Sequence, residues 1–144
     1  MAPPSRIPGD LVLGFDYGTR RIGVALGHRQ LGSARPLGVV TNRNTTDWAR
    51  LDSWVALWQP HVLVVGLPPR AASLSSRRVH RGIRRFAAAL QQRYHLPVVL
   101  VDEHLSSWAA RQEQPRLGAV PQPWDAGAAA CIVATYLHQP DAPH

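Results

Sequence analysis

Two acidic residues stand where apolar segments of the chain end. Asp16 closes the run LVLGFD (residues 11–16), and Glu103 follows the run PVVLVD (residues 97–102). A carboxylate at such a position loses hydration at a cost unless it is paired or binds a metal ion. Because ligands of open α/β sheets bind at strand ends, we expect the two acids to share one site. The alternatives are a turn-forming role for Asp16 and an exposed strand-end position for Glu103.

Asp125 is a third candidate ligand, at the start of the last apolar segment of the chain. From the residues alone it could equally be the N-cap of a helix. Asp102 is either a second metal ligand or a structural acid, and we favour the structural role. Three carboxylates suit Mg²⁺ or Mn²⁺, which prefer oxygen ligands. Two such ions about 4 Å apart can activate water and stabilise the leaving oxygen of a phosphodiester.

The other residues that could do chemistry form no rival constellation. The remaining acids lie in polar segments or on predicted helix surfaces, where we expect hydration to explain their charge: Asp10, Asp47, Asp52, Glu113 and Asp141. The single cysteine, Cys131, lies in an Ala-rich apolar segment and is expected to be a small buried hydrophobe. A single cysteine can form neither an intramolecular disulfide nor a cysteine metal cluster. No Ser-His-Asp or Cys-His arrangement is evident.

The charge of the chain favours a polyanionic partner. Its 144 residues include 16 basic and nine acidic residues, every basic residue is an arginine, and the formal net charge is +7. Seven arginines are candidates for phosphate contact, two beside Asp16 and five on one side of a predicted helix: Arg20, Arg21, Arg77, Arg78, Arg81, Arg84 and Arg85. Alternatively, the five helix arginines form a solvated helix face, and Arg20 and Arg21 are surface residues of a turn. Such contacts would depend strongly on salt and weakly on sequence.

The five tryptophans could serve the core or stack on bases. Trp48, Trp54 and Trp58 lie on or near one predicted helix, where core packing is the favoured interpretation. Trp108 and Trp124 are adjacent to proposed site elements and are the better candidates to face a substrate.

Hydrophobic periodicity predicts three strands followed by alternating helices and strands. The predicted strands are residues 11–16, 21–27, 33–40, 61–66 and 97–101. The predicted helices are one from Thr46 to Pro60, capped by Thr45 or Thr46, and then residues 76–94, 105–113 and 125–137. Pro36 favours an edge or a bulge for the third strand. This order predicts a ribonuclease H-like α/β fold, in which a three-stranded antiparallel unit and parallel strands form a mixed sheet with helices on both faces. We expect a flexible lead-in (residues 1–10), one domain (11–138) and a tail (139–144).

Four segments in order, FDYGTRRIGVALG, VVGLP, VDEHLSS and WDAGAAACIVATYL, resemble the YqgF (RuvX) family. The resemblance covers about residues 11–138. It implies a ribonuclease H-like bacterial nuclease, assigned to Holliday junction resolution and to maturation of pre-16S rRNA. Carried across, Asp16, Glu103 and Asp125 would be the catalytic acids that hold the metal ions. The implied partners are structured RNA or branched DNA and ribosomal precursor particles.

Three departures from the family pattern concern substrate grip rather than the acids. His104 stands where the family usually has arginine, and it could assist proton transfer or contact a phosphate. The segment before Asp125 reads RLGAVPQPWD instead of a basic stretch, and PRAASLSS replaces an Asp-Gly-type loop after GLP. Hydrolysis therefore remains the expectation, and the arginines of the predicted helix at 76–94 are expected to bind the substrate in place of the missing basic residues.

Two other function classes stay open at this point. The DYGT hairpin also resembles the phosphate-binding hairpin of actin-like and sugar-kinase ATPases, although those close two domains over a nucleotide. The second class is a catalytically inert nucleic-acid-binding module. Within the nuclease class, we favour rRNA processing over junction resolution, which would need a symmetric dimer. We expect a cytoplasmic protein without membrane association, present as a monomer or weak homodimer.

Overall fold

The strands lie where alternating and continuous apolar runs predict them. The computed structural model describes residues 10–69, 73–103 and 126–138. Its strands are β1 (Leu11–Tyr17), β2 (Arg21–His28), β3 (Ser33–Thr41), β4 (Val62–Leu67) and β5 (Val98–Asp102). Its helices are α1 (Trp48–Trp58), α2 (Leu74–Tyr94) and α3 (Gly127–Leu137). The predicted helix at 105–113 lies outside the described residues. None of the described helices is long and apolar enough to cross a bilayer.

The five strands form one mixed sheet in the order β3-β2-β1-β4-β5. β1 pairs antiparallel with β2, and β2 pairs antiparallel with β3. β4 pairs parallel with β1, and β5 pairs parallel with β4. Pro36 lies in the edge strand β3, beside an irregularity in the β2–β3 register at Val24 and Ala25. The predicted mixed sheet and the predicted place for this proline are confirmed.

Each face of the sheet carries its own apolar layer because strand side chains alternate between the faces. On β1, Leu13 and Phe15 join a core cluster with residues of α1 and α2. Val12 joins the second cluster, formed with α3 and the opposite face of β4. Cys131 is buried in α3, as predicted, with its Sγ 3.1 Å from the carbonyl oxygen of Gly127. Helices therefore cover both faces, with α1 and α2 on one and α3 on the other.

The predicted threonine cap of α1 is wrong. Asp47 is the N-cap residue, and its carboxylate accepts a hydrogen bond from the Arg50 backbone N–H at 3.3 Å. Thr46 uses its hydroxyl elsewhere, donating to Asn42 Oδ1 at 2.6 Å. An ionised cap at this position also interacts favourably with the helix dipole, which explains why Asp47 is the better cap.

Candidate active site at the ends of β1 and β5

Asp16 is the next-to-last residue of β1 and lies on the face covered by α3. Alternation places it on the same side as Val12 and Gly14, and a Cβ on Gly14 would overlap the Val133 side chain of α3. In the antiparallel pair with β2 it lies opposite Gly23, which has no side chain to cover it. Asp16 is partly buried, and this burial raises the pKa of its carboxyl above the ordinary value.

Glu103 follows β5 directly and lies on the same face of the sheet as Asp16. Between their strands lies β4, so two strand spacings, about 10 Å, separate the two backbones. On β4, between the two acids, lies Gly66, which is paired with Val101 of β5. A Cβ on Gly66 would be 3.0 Å from Glu103 Oε2 and would overlap the Ile132 side chain of α3. The glycine therefore leaves the space into which the Glu103 carboxyl reaches.

The two carboxyls interact electrostatically across this space. Burial, and secondly the negative charge of Asp16, raise the pKa of Glu103 to about 7. Two partly buried oxygen donors that repel each other are chemically suited to a hard divalent cation. The donor set therefore fits the predicted metal.

Asp102 differs from Glu103 in the face that it occupies. It is the last residue of β5, and alternation places it with Val98 and Leu100, on the side of α1 and α2. It is exposed to solvent, whereas Glu103 is partly buried. This arrangement separates Asp102 from the Asp16–Glu103 pair.

The third predicted ligand, Asp125, lies outside the described residues, as does His104. Helix α3 begins at Gly127, with Ala126 as its N-cap residue and no side-chain cap. Its backbone approaches Gly14 through Ala129, and its last residue, Leu137, approaches Gly27 near the start of β1. The first turn of α3 is thus its end nearer to Asp16. Among residues 10–69, 73–103 and 126–138, no group of three His, Cys, Asp or Glu side chains could hold a metal ion.

All seven predicted phosphate-binding arginines are exposed. Arg20 and Arg21 lie at the β1–β2 turn. The ring of Tyr17, the last residue of β1, packs against α2 at Gly82, where a Cβ would be 2.9 Å from the Tyr17 hydroxyl oxygen. The eight helical residues before Gly82 (74–81) therefore extend about 12 Å beyond this level. Three of the five predicted phosphate-binding arginines of α2 lie on that projecting part: Arg77, Arg78 and Arg81.

The comparison with known proteins identifies the family. The RuvX family, described as Holliday junction resolvase, matches residues 10–139. This chain belongs to the RuvX family. A relative from Pseudomonas aeruginosa is 41% identical over 135 residues, covering 90% of this chain and 93% of its own. A relative from Xanthomonas axonopodis pv. citri is 40% identical, covering 93% and 91%. Both carry the provisional name pre-16S rRNA nuclease.

The fold is also similar to that of a solved structure. Thermus thermophilus RuvC in complex with a Holliday junction substrate has a TM-score of 0.62 and 16% identity, covering 88% of this chain and 91% of that one. The predicted ribonuclease H-like fold is confirmed. The RuvX match includes the DYGT hairpin. Membership of this family therefore accounts for the DYGT motif, and a relation to ATPases is not needed to explain the motif.

Two buried side chains near this candidate site were not predicted from the sequence, Asn42 and His80. Asn42 is buried, and its Nδ2 donates to the Gly18 carbonyl at 2.7 Å while its backbone N–H donates to the Arg20 carbonyl at 2.8 Å. It thus fixes the turn that follows Asp16. His80 is buried in α2, with its two ring nitrogens 2.8 Å from the carbonyl oxygens of Ser76 and Pro68. An asparagine after a strand and a histidine on a helix give no distinctive sequence signal.

Three of the acids expected to be merely solvated depart from that expectation. Asp10 is buried, contrary to expectation, directly before β1. Asp47 caps α1. Asp52 accepts hydrogen bonds from both Nε and Nη2 of Arg93, at 2.7 and 2.6 Å, and from the Tyr94 hydroxyl at 2.6 Å. These bonds hold the pKa of Asp52 at about 2, and they join α1 to the end of α2. The partners are distant in sequence, so composition alone could not reveal them.

Proposed function

We propose that this RuvX protein is a metal-dependent nuclease that hydrolyses phosphodiester bonds, and that its substrate is the 5′ precursor region of 16S rRNA. The observation that carries the proposal is the pair of partly buried carboxyls, Asp16 and Glu103, on one face of the sheet with Gly66 between them. The mutual repulsion of such a pair is relieved by a divalent cation. Exposed arginines near the same strand ends supply positive charge for a phosphate backbone.

In the proposed mechanism, Asp16, Glu103 and Asp125 would hold two Mg²⁺ or Mn²⁺ ions. When bound, the ions supply water activation and charge stabilisation at the leaving oxygen. Asp16 and Glu103 would contribute positioned oxygen ligands, because Asp16 lies in β1 and Glu103 directly follows β5. Asn42 keeps the Asp16 turn in place through its bonds to two backbone groups. His104 is a candidate for proton transfer or phosphate contact, and Asp102 remains outside the metal site.

The arginines of α2 and of the β1–β2 turn would hold the substrate by its phosphates. The five predicted phosphate-binding arginines of α2 are exposed, and no acidic residue occurs within Leu74–Tyr94 to neutralise them. Tyr17 packs on Gly82 and so connects the helix that carries these arginines to the strand that carries Asp16. Contacts of this kind fix the position of a nucleic acid without reading its sequence. The rRNA structure or a ribosomal precursor particle would then supply specificity, within the cytoplasm.

Junction resolution is the second candidate activity. It is supported by the description of the RuvX family and by the fold shared with RuvC, whose solved structure contains a Holliday junction. Symmetric cleavage of a four-way junction would require two copies of the chain. We favour rRNA processing because the relatives that are 40–41% identical are named for it.

The deciding experiment incubates the protein with Mn²⁺ or Mg²⁺ and either an RNA spanning the 5′ end of mature 16S rRNA or a four-way DNA junction. We expect cleavage of the RNA that is abolished by EDTA and by Asp16→Asn. Asp102→Asn is the matched control, since it removes the same charge from the opposite face and should retain activity. Preferential junction cleavage by a dimer, measured by light scattering, would instead establish the resolvase.

A protein that binds both substrates in EDTA and cleaves neither would be the inert nucleic-acid-binding module. Addition of ribosomal precursor particles to the same assay would show whether a partner is required. Cleavage that persists at full rate in Asp16→Asn would refute the carboxylate mechanism. Each outcome therefore separates one function class from the others.

A further inference from the structure

A second set of arginines lies on α1 and β3 and is distinct from the predicted phosphate-binding arginines of α2. Arg50, Trp54 and Trp58 are spaced four residues apart on α1 and so share one helix face. The guanidinium carbon of Arg50 is 4.9 Å from the Trp54 ring centroid. That of Arg35, on β3, is 5.3 Å from the Trp58 ring centroid. Both arginines are exposed, and both tryptophans are partly buried against the core.

Gly38 on the edge strand β3 gives this arrangement its space. A Cβ there would lie 3.2 Å from Trp54 Cη2 and 3.4 Å from Arg50 Nη2. The indole and the guanidinium therefore lie against bare β3 backbone, near the position where Pro36 interrupts the regular edge. The expectation that Trp54 and Trp58 belong to the core is confirmed by their packing, and their remaining surfaces support arginines.

The chemistry of a stacked arginine favours phosphate over base recognition. Each tryptophan is partly buried against the core and also lies beside an arginine, so part of its ring surface is already occupied. A guanidinium stacked on an indole retains N–H groups at its edge and is already ordered for bidentate contact with a phosphate. The two acids of this helix region are engaged elsewhere, Asp47 as the cap of α1 and Asp52 with Arg93.

The position of α1 relates these arginines to the candidate active site. The segment before α1 is bonded to the catalytic turn, since Asn42 contacts Gly18 and Arg20. The segment after α1 is bonded to the opposite end of β1, where the His61 backbone N–H donates to the Leu11 carbonyl at 3.0 Å. The stripe from Arg50 to Trp58 therefore leads away from the catalytic end over about 12 Å.

We propose that Arg35 and Arg50 form a second phosphate-binding strip, which holds the sugar-phosphate backbone of a substrate arm extending beyond the catalytic end. The occupant is the nucleic acid itself, because the strip offers positive charge and ordered donors rather than an apolar groove. The proposal rests on the proposed function in that the substrate is a nucleic acid. It is tested by binding, so its outcome is distinguishable from a failure of cleavage.

The test measures fluorescence anisotropy in EDTA with two RNAs that share the 5′ end of mature 16S rRNA and differ by one longer arm. Arg35→Ala/Arg50→Ala should weaken binding of the long RNA about fivefold or more and leave the short RNA unchanged. The salt dependence of long-RNA binding should decrease by about 0.7 for each phosphate that the protein no longer neutralises. Arg35→Lys/Arg50→Lys retains the charge and should weaken binding less than the alanine pair.

Arg43→Ala is the matched control, because it removes an exposed arginine of the β3–α1 connection, outside the pair that stacks on Trp54 and Trp58. It should not alter the ratio of long to short affinities. The proposal is overturned if the alanine pair leaves that ratio unchanged, whether both RNAs keep their affinity or both lose it equally. Circular dichroism of every variant establishes that folding is intact, and the lysine pair provides the readout if the alanine pair does not fold.

Discussion

The raised pKa of Glu103 leads to a prediction about stability in the absence of metal. Its folded-state value of about 7 exceeds the ordinary value of 4.5 because of burial and the charge of Asp16. A carboxyl with a raised folded-state pKa stabilises the fold fully below its ordinary pKa, and this contribution is lost as pH rises through the folded-state value. The protein in EDTA should therefore lose stability between about pH 4.5 and 7.

The size of this effect follows from the shift, reduced for solvent screening because Glu103 is only partly buried. We expect a loss of about 1 to 2 kcal/mol. For a chain of this length that corresponds to a fall in melting temperature of about 3 to 6 °C. A divalent cation should reverse the loss, because it binds the ionised carboxylate. Stabilisation by Mn²⁺ should accordingly increase as pH rises toward 7.

The assay is thermal unfolding from pH 5 to 8, with EDTA or with Mn²⁺. Glu103→Gln should remove the pH-dependent loss attributable to this carboxyl, so the difference between wild type and variant isolates it from other titrating groups. Asp102→Asn, one residue away on the opposite face, should retain the wild-type profile. If Glu103→Gln and wild type lose equal stability over this range, or if Mn²⁺ stabilises equally at pH 5 and 8, the reasoning is refuted.

Three further predictions concern residues that shape the site. Gly66→Ala should abolish cleavage and lower stability by about 1 to 3 kcal/mol, because the added methyl crowds Glu103; wild-type activity would exclude the proposed packing. Gly82→Ala should displace Tyr17 and raise KM for nucleic acid more than it lowers kcat, as steady-state kinetics would detect; Tyr17→Ala in the same chain should restore much of the loss. Ser73→Ala should lower the free energy of unfolding in urea by about 1 kcal/mol, because the Ser73 hydroxyl caps α2, and an unchanged midpoint would contradict this role.

Local patterns in the sequence determined the element order and the identity of the candidate acids. Apolar runs predicted the strands because a buried strand needs them, and Asp16 and Glu103 were conspicuous because each ends such a run. The arginine side of α2 followed from the apolar stripe opposite it. These inferences need only neighbours within a few residues. The boundaries differed by one or two residues, as with α2, which begins at Leu74 because Ser73 caps it.

Tertiary structure alone decided which distant residues meet. That Gly66 separates the two acids depends on β4 lying between β1 and β5, a pairing over long sequence separations that no local pattern encodes. The same holds for Tyr17 against Gly82 and for Arg35 on Trp58. The faces of Asp102 and Glu103 depended on where β5 ends, since one residue reverses the side of a strand. The sequence thus specified the acids that could do the chemistry, and long-range strand and helix packing specified the candidate site in which two of them lie.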